Sequence, residues 1–295
     1  QLTPIEVSGL DNATMVSAGF YHTCALISGG SIKCWGSGSL GQLGNGSTEQ
    51  KSTPYTVSDI TNAIDVGTGS SDTCALLSGG TVKCWGQGIY GQMGNGALDN
   101  QYTPVTVSNL DNVISIGVGK SHNCAIISGG TVKCWGDNSY QQHEKTADRK
   151  QSTPVTVSGL NNAIMIAGGG VHTCFLTSGG IICTGRGSFG ALGIVGNNGL
   201  WKNQYSNQIP TSSTYSITDA LTVTAGSDHT CARVPLGGVK CWGKNTQGQI
   251  GIGSLDNQYL PVSVSVDLES SNVTSSGTQI SITGNDNTSY THTGR

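Results

Sequence analysis

Charge is scarce in this chain. Asp, Glu, Lys and Arg make up 11 % of its 295 residues, against about 25 % in an ordinary globular domain. The formal net charge is −3 and no basic stripe stands out, which argues against nucleic acid as a partner. No run of about 18 apolar residues occurs, so no membrane-spanning helix is expected. Helical periodicity is absent too, which removes the strand–loop–helix setting that a phosphate-cradling glycine loop needs. No two cysteines stand as C-x2-C, so the usual structural zinc cluster is missing. Acidic residues are scattered singly, without the paired carboxylates of a glycosidase. The chain does not start with a basic stretch followed by an apolar core, so the expectation is that any secretion signal has been removed.

Glycine (45 residues), Ser, Thr, Asn and Gln fill the space that charge leaves, and the ten cysteines recur with a period of about fifty residues. They fall as Cys24 and Cys34, Cys74 and Cys84, Cys124 and Cys134, Cys174 and Cys183, and Cys231 and Cys241. A fixed period of this length marks a repeat architecture, in which one unit cannot bury its own apolar face and stacks on its neighbours. Five pairs with none left over read as disulfides made in an oxidising compartment.

The first unit shows how each pair forms. Ala18 to Ile27 and Ser31 to Gly36 are short runs with apolar and β-branched residues around the Ser28-Gly29-Gly30 turn, the signal for a hairpin. Folding about Gly29 sets Cys24 opposite Cys34 and Leu26 opposite Ile32 on the same face. A bridge closing a loop of about ten residues contributes roughly 2–3 kcal/mol on the chain-entropy model. Upstream lies a further strand, Ala13 to Ser17. Downstream lies a Thr-Pro segment beginning at Thr53-Pro54, echoed at Thr103-Pro104 and Thr153-Pro154. Proline is tolerated at a sheet edge and not mid-sheet, so this segment is the outer strand.

Four short antiparallel strands per fifty residues make one blade of a β-propeller. The expected fold is all-β: about six four-stranded blades, each stapled by a hairpin disulfide, in a single domain over 1–295. The blade units run about 3–52, 53–102, 103–152, 153–209, 210–259 and a degenerate, cysteine-free 260–295. Aligning Gly277 with Gly19 puts Ile282 where Cys24 stands, and the last unit then lacks only its outer strand. Thr3-Pro4-Ile5-Glu6-Val7 at the N-terminus is expected to supply that strand and close the ring, removing exposed edges.

The unit H-T-C-A-L-x-S-G-G-x-V-K-C-W-G-x-x-x-x-G-Q-x-G-N-G resembles the repeat of the regulator of chromosome condensation family. Gly36 to Gly46 and Gly86 to Gly96 carry the G-Q-x-G loop in phase with the Trp-Gly that follows each hairpin. The resemblance implies a propeller with blades stacked round a central axis. It does not imply the nuclear founder's nucleotide exchange on a small GTPase, because five disulfides have no place in the nucleus. The chain looks instead like a secreted bacterial branch that includes a β-lactamase inhibitor and cell-surface modules, and fold alone does not choose among these.

The histidines His22, His122, His172 and His229 sit two residues before a cysteine, but the second unit has Asp72 there. A structural role between blades fits that substitution better than a metal ring. Ser and His recur in repeats and the cysteines are taken up in bridges, so no nucleophile–base set stands out; no enzyme activity, metal or cofactor is expected. Trp35, Trp85, Trp135 and Trp242 read as framework.

The informative places are the breaks in the repeat. In unit three the G-Q-x-G loop gives way to Asp137 to Lys150, the densest charge cluster in the chain, with Tyr140, His143 and Arg149. In unit four Thr184 replaces the framework Trp, and the loop from Gly193 to Thr211 is longer and carries Trp201, Lys202 and Tyr205. Insertions in repeat proteins map to loops on one face, often the binding face, and exposed Trp, Tyr and Arg are typical anchors. Leu40, Tyr90, Tyr140, Phe189 and Gln247 lead into the same loop; packing between blades is one reading of them and a ligand-binding ring the other, with Tyr90 the further candidate anchor. The expected function is an extracellular recognition module, adhesin- or fibre-tip-like. It would contact a surface glycan or protein on a target cell without entering the membrane. The alternative is a secreted inhibitor of a hydrolase such as a β-lactamase. Membership of a larger or oligomeric surface protein is compatible with either.

Overall fold

A computed structural model describes residues 3–143, 148–193 and 217–264, together with the backbone of short strands at 205–206, 272–276, 279–283 and 289–293. The strands form six antiparallel sheets. The first holds β1 (Ala13–Ala18), β2 (His22–Ile27), β3 (Ile32–Gly36) and β4 (Lys51–Thr56), hydrogen-bonded in that order. The second holds β5 (Ala63–Thr68), β6 (Asp72–Leu77), β7 (Val82–Gly86) and β8 (Gln101–Thr106), and the third β9 (Val113–Val118), β10 (His122–Ile127), β11 (Val132–Asp137) and β12 (Lys150–Thr156). The fourth comprises β13 (Ala163–Gly168), β14 (His172–Thr177), β15 (Gly180–Arg186) and the two-residue β16 (Tyr205–Ser206). The fifth comprises β17 (Thr222–Ala225), β18 (His229–Arg233), β19 (Val239–Gly243) and β20 (Gln258–Ser263). The sixth has three strands, β21 (Asn272–Ser276), β22 (Gln279–Thr283) and β23 (Ser289–Thr293). The architecture is a β-propeller, and the Thr-Pro segments are its outer strands.

The hairpin register is the one that alternation demands. Cys24 lies opposite Cys34, Ala25 opposite Lys33 and Leu26 opposite Ile32, and all five cysteine pairs are bridged within their hairpins. Gly29 and Gly30 turn the hairpin with φ of 95° and 87°, values only glycine adopts freely. The expected N-terminal closing strand is different: Thr3 to Val7 is exposed and forms no strand.

The core lies between blades rather than within them. One cluster joins the Cys24–Cys34 bridge, Leu26, Ile32 and Leu43 of the first blade to Ala63, Val66, Ala75 and Trp85 of the second. The same arrangement recurs between the second and third blades around Met93 and Trp135. A disulfide and an aliphatic pair therefore form the face that each blade offers to the next, which is why one unit alone has no core to stand on.

Candidate functional site

In each of the first five blades one end carries both the turn between the first two strands and the loop between the last two. Backbone bonds from Ser37 N to Tyr21 O, Gln87 N to Ser71 O, Asp137 N to Ser121 O, Arg186 N to Val171 O and Lys244 N to Asp228 O, all 2.8–2.9 Å, tie turn to loop. The Gly-Gly hairpin turns lie at the opposite end. The charged loop 137–150 and the loop following Arg186 thus start from the same end of the propeller.

At a regular seam between blades, this loop is locked by its neighbour. The Gln of the G-Q-x-G motif folds back, its Oε1 accepting from the amide two residues earlier: Leu40 N to Gln42 and Tyr90 N to Gln92, each 2.9 Å. Its carbonyl then takes two donors from the next blade. Gln42 O accepts from Trp85 Nε1 and from the Thr73 hydroxyl, both at 3.0 Å. Since the Thr73 proton is spent there, its oxygen must accept from His22 Nε2, 2.9 Å away, which fixes the tautomer and leaves Nδ1 bare. Burial holds His22 down to about 4. His122 with Thr173 and His172 with Thr230 repeat the pair, and burial lowers these to about 4 and about 3.

The second and third blades solve the same problem with reversed polarity. Asp72 stands in place of the histidine and Asn123 in place of the threonine. One amide proton of Asn123 Nδ2 goes to Asp72 Oδ2 at 3.1 Å, and the other to Gln92 O at 3.0 Å. Full burial pushes the Asp72 carboxyl up to about 8, against the opposing bond from Asn123.

The seam between the third and fourth blades departs from this plan. Thr184 stands where Trp85 and Trp135 stand, and its hydroxyl alone reaches the Gln142 carbonyl, at 2.6 Å. Packing there is completed by His143, which occupies the position of Leu43 and Met93 and is 2 % exposed. Neither of its ring nitrogens makes a hydrogen bond of good geometry among the described residues. Burial, reinforced by the nearby His122, holds it down to about 3, with the Asp137 backbone pulling the other way. The lost motif in unit three and the lost Trp in unit four are therefore two sides of one contact.

Above that seam, Tyr140 carries the Arg186 guanidinium over its ring at 5.2 Å, and Arg186 lies opposite Tyr205 in the β15–β16 pair. Phe189 meets Lys244 of the fifth blade in the same way, at 5.3 Å. Tyr90 takes Lys150 at 5.2 Å, because the position equivalent to Arg186 in the third blade is Asp137. The aromatic ring is thus one half of a set of cation–π contacts between blades. Arg149 is exposed and its carbonyl holds Asn138 N at 2.7 Å. Trp201 and Lys202 lie outside the described residues. Of the candidate anchors, Tyr140, Arg149 and the Tyr205 backbone gather around the third and fourth blades, Tyr90 stands one blade away, and His143 faces inward. Arg186, which links Tyr140 to β16, escaped the sequence reading; its signal was that the residue after the glycine closing the third strand is cationic only where the preceding blade offers an aromatic.

Two sequence families with the same description, regulator of chromosome condensation repeat, match residues 30–76, 79–126 and 237–281, and 15–42, 63–92, 113–142 and 221–249. The chain belongs to this repeat family. Among solved structures, human WBSCR16 superposes with a TM-score of 0.73 at 24 % identity, over 86 % of this chain and 67 % of that one. Yeast RCC1 (Prp20) in complex with Kap60 gives 0.72 at 21 %, over 88 % and 63 %. Prp20p from Saccharomyces cerevisiae gives 0.70 at 22 %, over 88 % and 65 %. The repeat-family chain thus spans about two thirds of the length of these relatives, and the likeness is one of fold. No curated protein sequence matches it. Among the described residues no cluster of three or more His, Cys, Asp or Glu could hold a metal ion, and no helix is long and apolar enough to cross a membrane.

Proposed function

We propose that this chain, as one propeller over 1–295, is a secreted or cell-surface recognition module that contacts a glycan or protein through the loop-bearing end. The observation that carries the reading is positional. The departures in units three and four meet at one seam, and their loops leave from one end of a scaffold otherwise held by a repeated interlock. Nothing in the interlock calls for the exposed Arg149 and Arg186 or the half-exposed Tyr140 there, whereas exposed Tyr, Trp and Arg are what binding surfaces use. Five bridges fit an oxidising compartment. Protein partners as a class are supported by the yeast structures, one a complex with Kap60 and one concerned with binding to Gsp1p and histones.

The test is binding of the purified chain to a glycan array, to candidate cells and to a panel of secreted hydrolases. Specific binding that drops at least tenfold in Trp201→Ala with Tyr205→Ala, or in Arg186→Ala, is expected. Binding that ignores all three substitutions, or no binding to any arm, overturns the reading. Tight inhibition of a hydrolase, lost in the same variants, would make that enzyme the partner.

A further inference from the structure

The same end holds a concave depression of about 440 Å³ where the inner strands of five blades finish. That is room for about fifteen waters at ~30 Å³ each, and it falls within the usual size of a small-ligand pocket. Seven of its fourteen lining residues are glycine, and the one charged residue is Lys120.

The glycines belong to the scaffold. A Cβ on Gly119 would lie 2.8 Å from His122 Nδ1, and one on Gly169 would lie 2.6 Å from His172 Nδ1. At Gly69 it would meet both Asp72 and the Gly119 carbonyl at 2.5 Å. The buried side chains of the interlock therefore force a floor of bare backbone. The following residue does not face the interlock and varies from blade to blade: Phe20, Ser70, Lys120, Gly170 and Ser227, with Gly170 alone held small, by the Ser227 carbonyl at 2.6 Å from an added Cβ. Backbone bonds of 3.0 Å from Ser70 N to Lys120 O, Lys120 N to Gly169 O and Gly170 N to Ser227 O stitch this rim from blade to blade. The rim is accordingly preorganised.

On it stand two exposed aromatics, Phe20 at 56 % and Tyr21 at 67 % exposure. Lys120, two blades away, places its ammonium 5.8 Å from the centre of the Phe20 ring. The pair reaches past the small Ser70 and spans part of the mouth. Among the described residues the Phe20 ring meets Tyr21, 6.2 Å between ring centres, and Lys120, and stays 56 % exposed. The site offers an apolar ring face, one cation with no ion pair among the described residues, a serine hydroxyl and peptide edges.

We propose that this axial depression binds an acidic sugar residue, its carboxylate taken by Lys120 and its ring laid against Phe20. A saccharide uses all four features at once, since its hydroxyls find peptide groups and Ser227 while its carbon-bound hydrogens meet the aromatic face. An acidic peptide also uses the cation and meets the peptide edges with its amides, but it lacks the face of carbon-bound hydrogens that a pyranose ring lays on Phe20. The proposal rests on the recognition reading above and names one ligand class for it.

The test is ligand-observed NMR and calorimetry on the whole chain, with the methyl glycosides of glucuronic acid and N-acetylneuraminic acid, methyl glucoside as the neutral control, and an Asp/Glu tetrapeptide. At least one acidic glycoside is expected to bind tenfold or more tightly than the neutral one. Lys120→Gln should abolish that preference, and Phe20→Ser, which installs the residue of the second and fifth blades, should weaken binding at least tenfold. Both residues are exposed, and thermal melts of the variants will show that folding is kept. Equal binding of neutral and acidic glycosides, indifference to both variants, or preference for the tetrapeptide overturns the proposal. If Arg186→Ala or the Trp201/Tyr205 pair abolishes cell or glycan binding while Lys120→Gln leaves it intact, the axial subsite fails and the recognition reading stands. If no ligand binds in any arm, both fail.

Discussion

At the seam between the first and second blades, an indole fills the space below the loop, and Leu43 closes it. At the seam between the third and fourth, a threonine and a histidine occupy the same two positions. Both seams keep the same donor to the same carbonyl, Trp85 to Gln42 in one and Thr184 to Gln142 in the other. What differs is volume and titration. The regular seam buries the Trp85 indole and one histidine; the irregular one buries the Phe175 ring, clustered with Cys124, Ile126 and Ile166, together with His122 and His143. A repeat protein's stability is close to a sum of unit and interface terms, so one interface can be rebuilt from other residues without dissolving the ring. This rebuilt seam is the one beneath the charged loop.

The largest test removes what the seams do not share. Trp135→Ala empties a fully buried site and is expected to cost about 3–5 kcal/mol, whereas Thr184→Ala loses one hydrogen bond at about 1–2 kcal/mol. Urea unfolding of the two variants checks this; equal losses would mean that the irregular seam is as tightly packed as its neighbours.

Acid should separate the seams next. Each buried histidine has a folded pKa below its ordinary 6.5, so the unfolded chain takes up the proton first. Stability is therefore complete above pH 6.5 and is lost as pH falls toward about 4, with each fully buried histidine contributing up to roughly 2–3 kcal/mol. Hydrogen exchange at pH 7 and pH 5 should show protection falling first in β10, β11, β14 and β15, where His122 and His143 stand 6.5 Å apart and β14 also carries His172, and later in β2 and β6. Uniform loss would erase the distinction. Asp72 has the opposite sign: its raised pKa makes the fold most stable below about 4 and less stable as pH rises through 8, so Asp72→Asn should flatten the alkaline limb.

Much of this was legible in the chain. Alternation within His22–Ile27 and Ile32–Gly36 dictates which cysteine faces which, and Pro54 can sit only on an edge. The seams were not legible, because the partner of Trp85, Trp135 and Trp242 is a loop 43, 43 and 51 residues earlier in another unit, and spacing alone does not say which units touch. Thr184 and the 137–150 loop consequently read as two breaks. His143 read as part of an exposed charge cluster, although its register with Leu43 and Met93 marks it as a plug. Thr3 to Val7 has the outer-strand pattern of Thr53 to Val57, yet that pattern needs a paired β3-like neighbour to become a strand. The axial rim was overlooked because its signal is variation at the one residue after an invariant glycine, a place the repeat itself leaves blank.

The smallest effects are exchanges that make one seam resemble another. His143→Leu restores the plug of the regular seam and removes a buried imidazole without a well-formed hydrogen bond, so a gain of about 1 kcal/mol at pH 7 is expected, rising as pH falls toward 5. Asp72→His alone sets a ring donor against the Asn123 amide and should cost about 1–3 kcal/mol. Adding Asn123→Thr rebuilds the pair used by His22 and Thr73, and the double variant should return to within about 0.5 kcal/mol of the parent. Additive losses in that cycle would show that the Asp72–Asn123 bond is incidental and that the seams are held by packing alone.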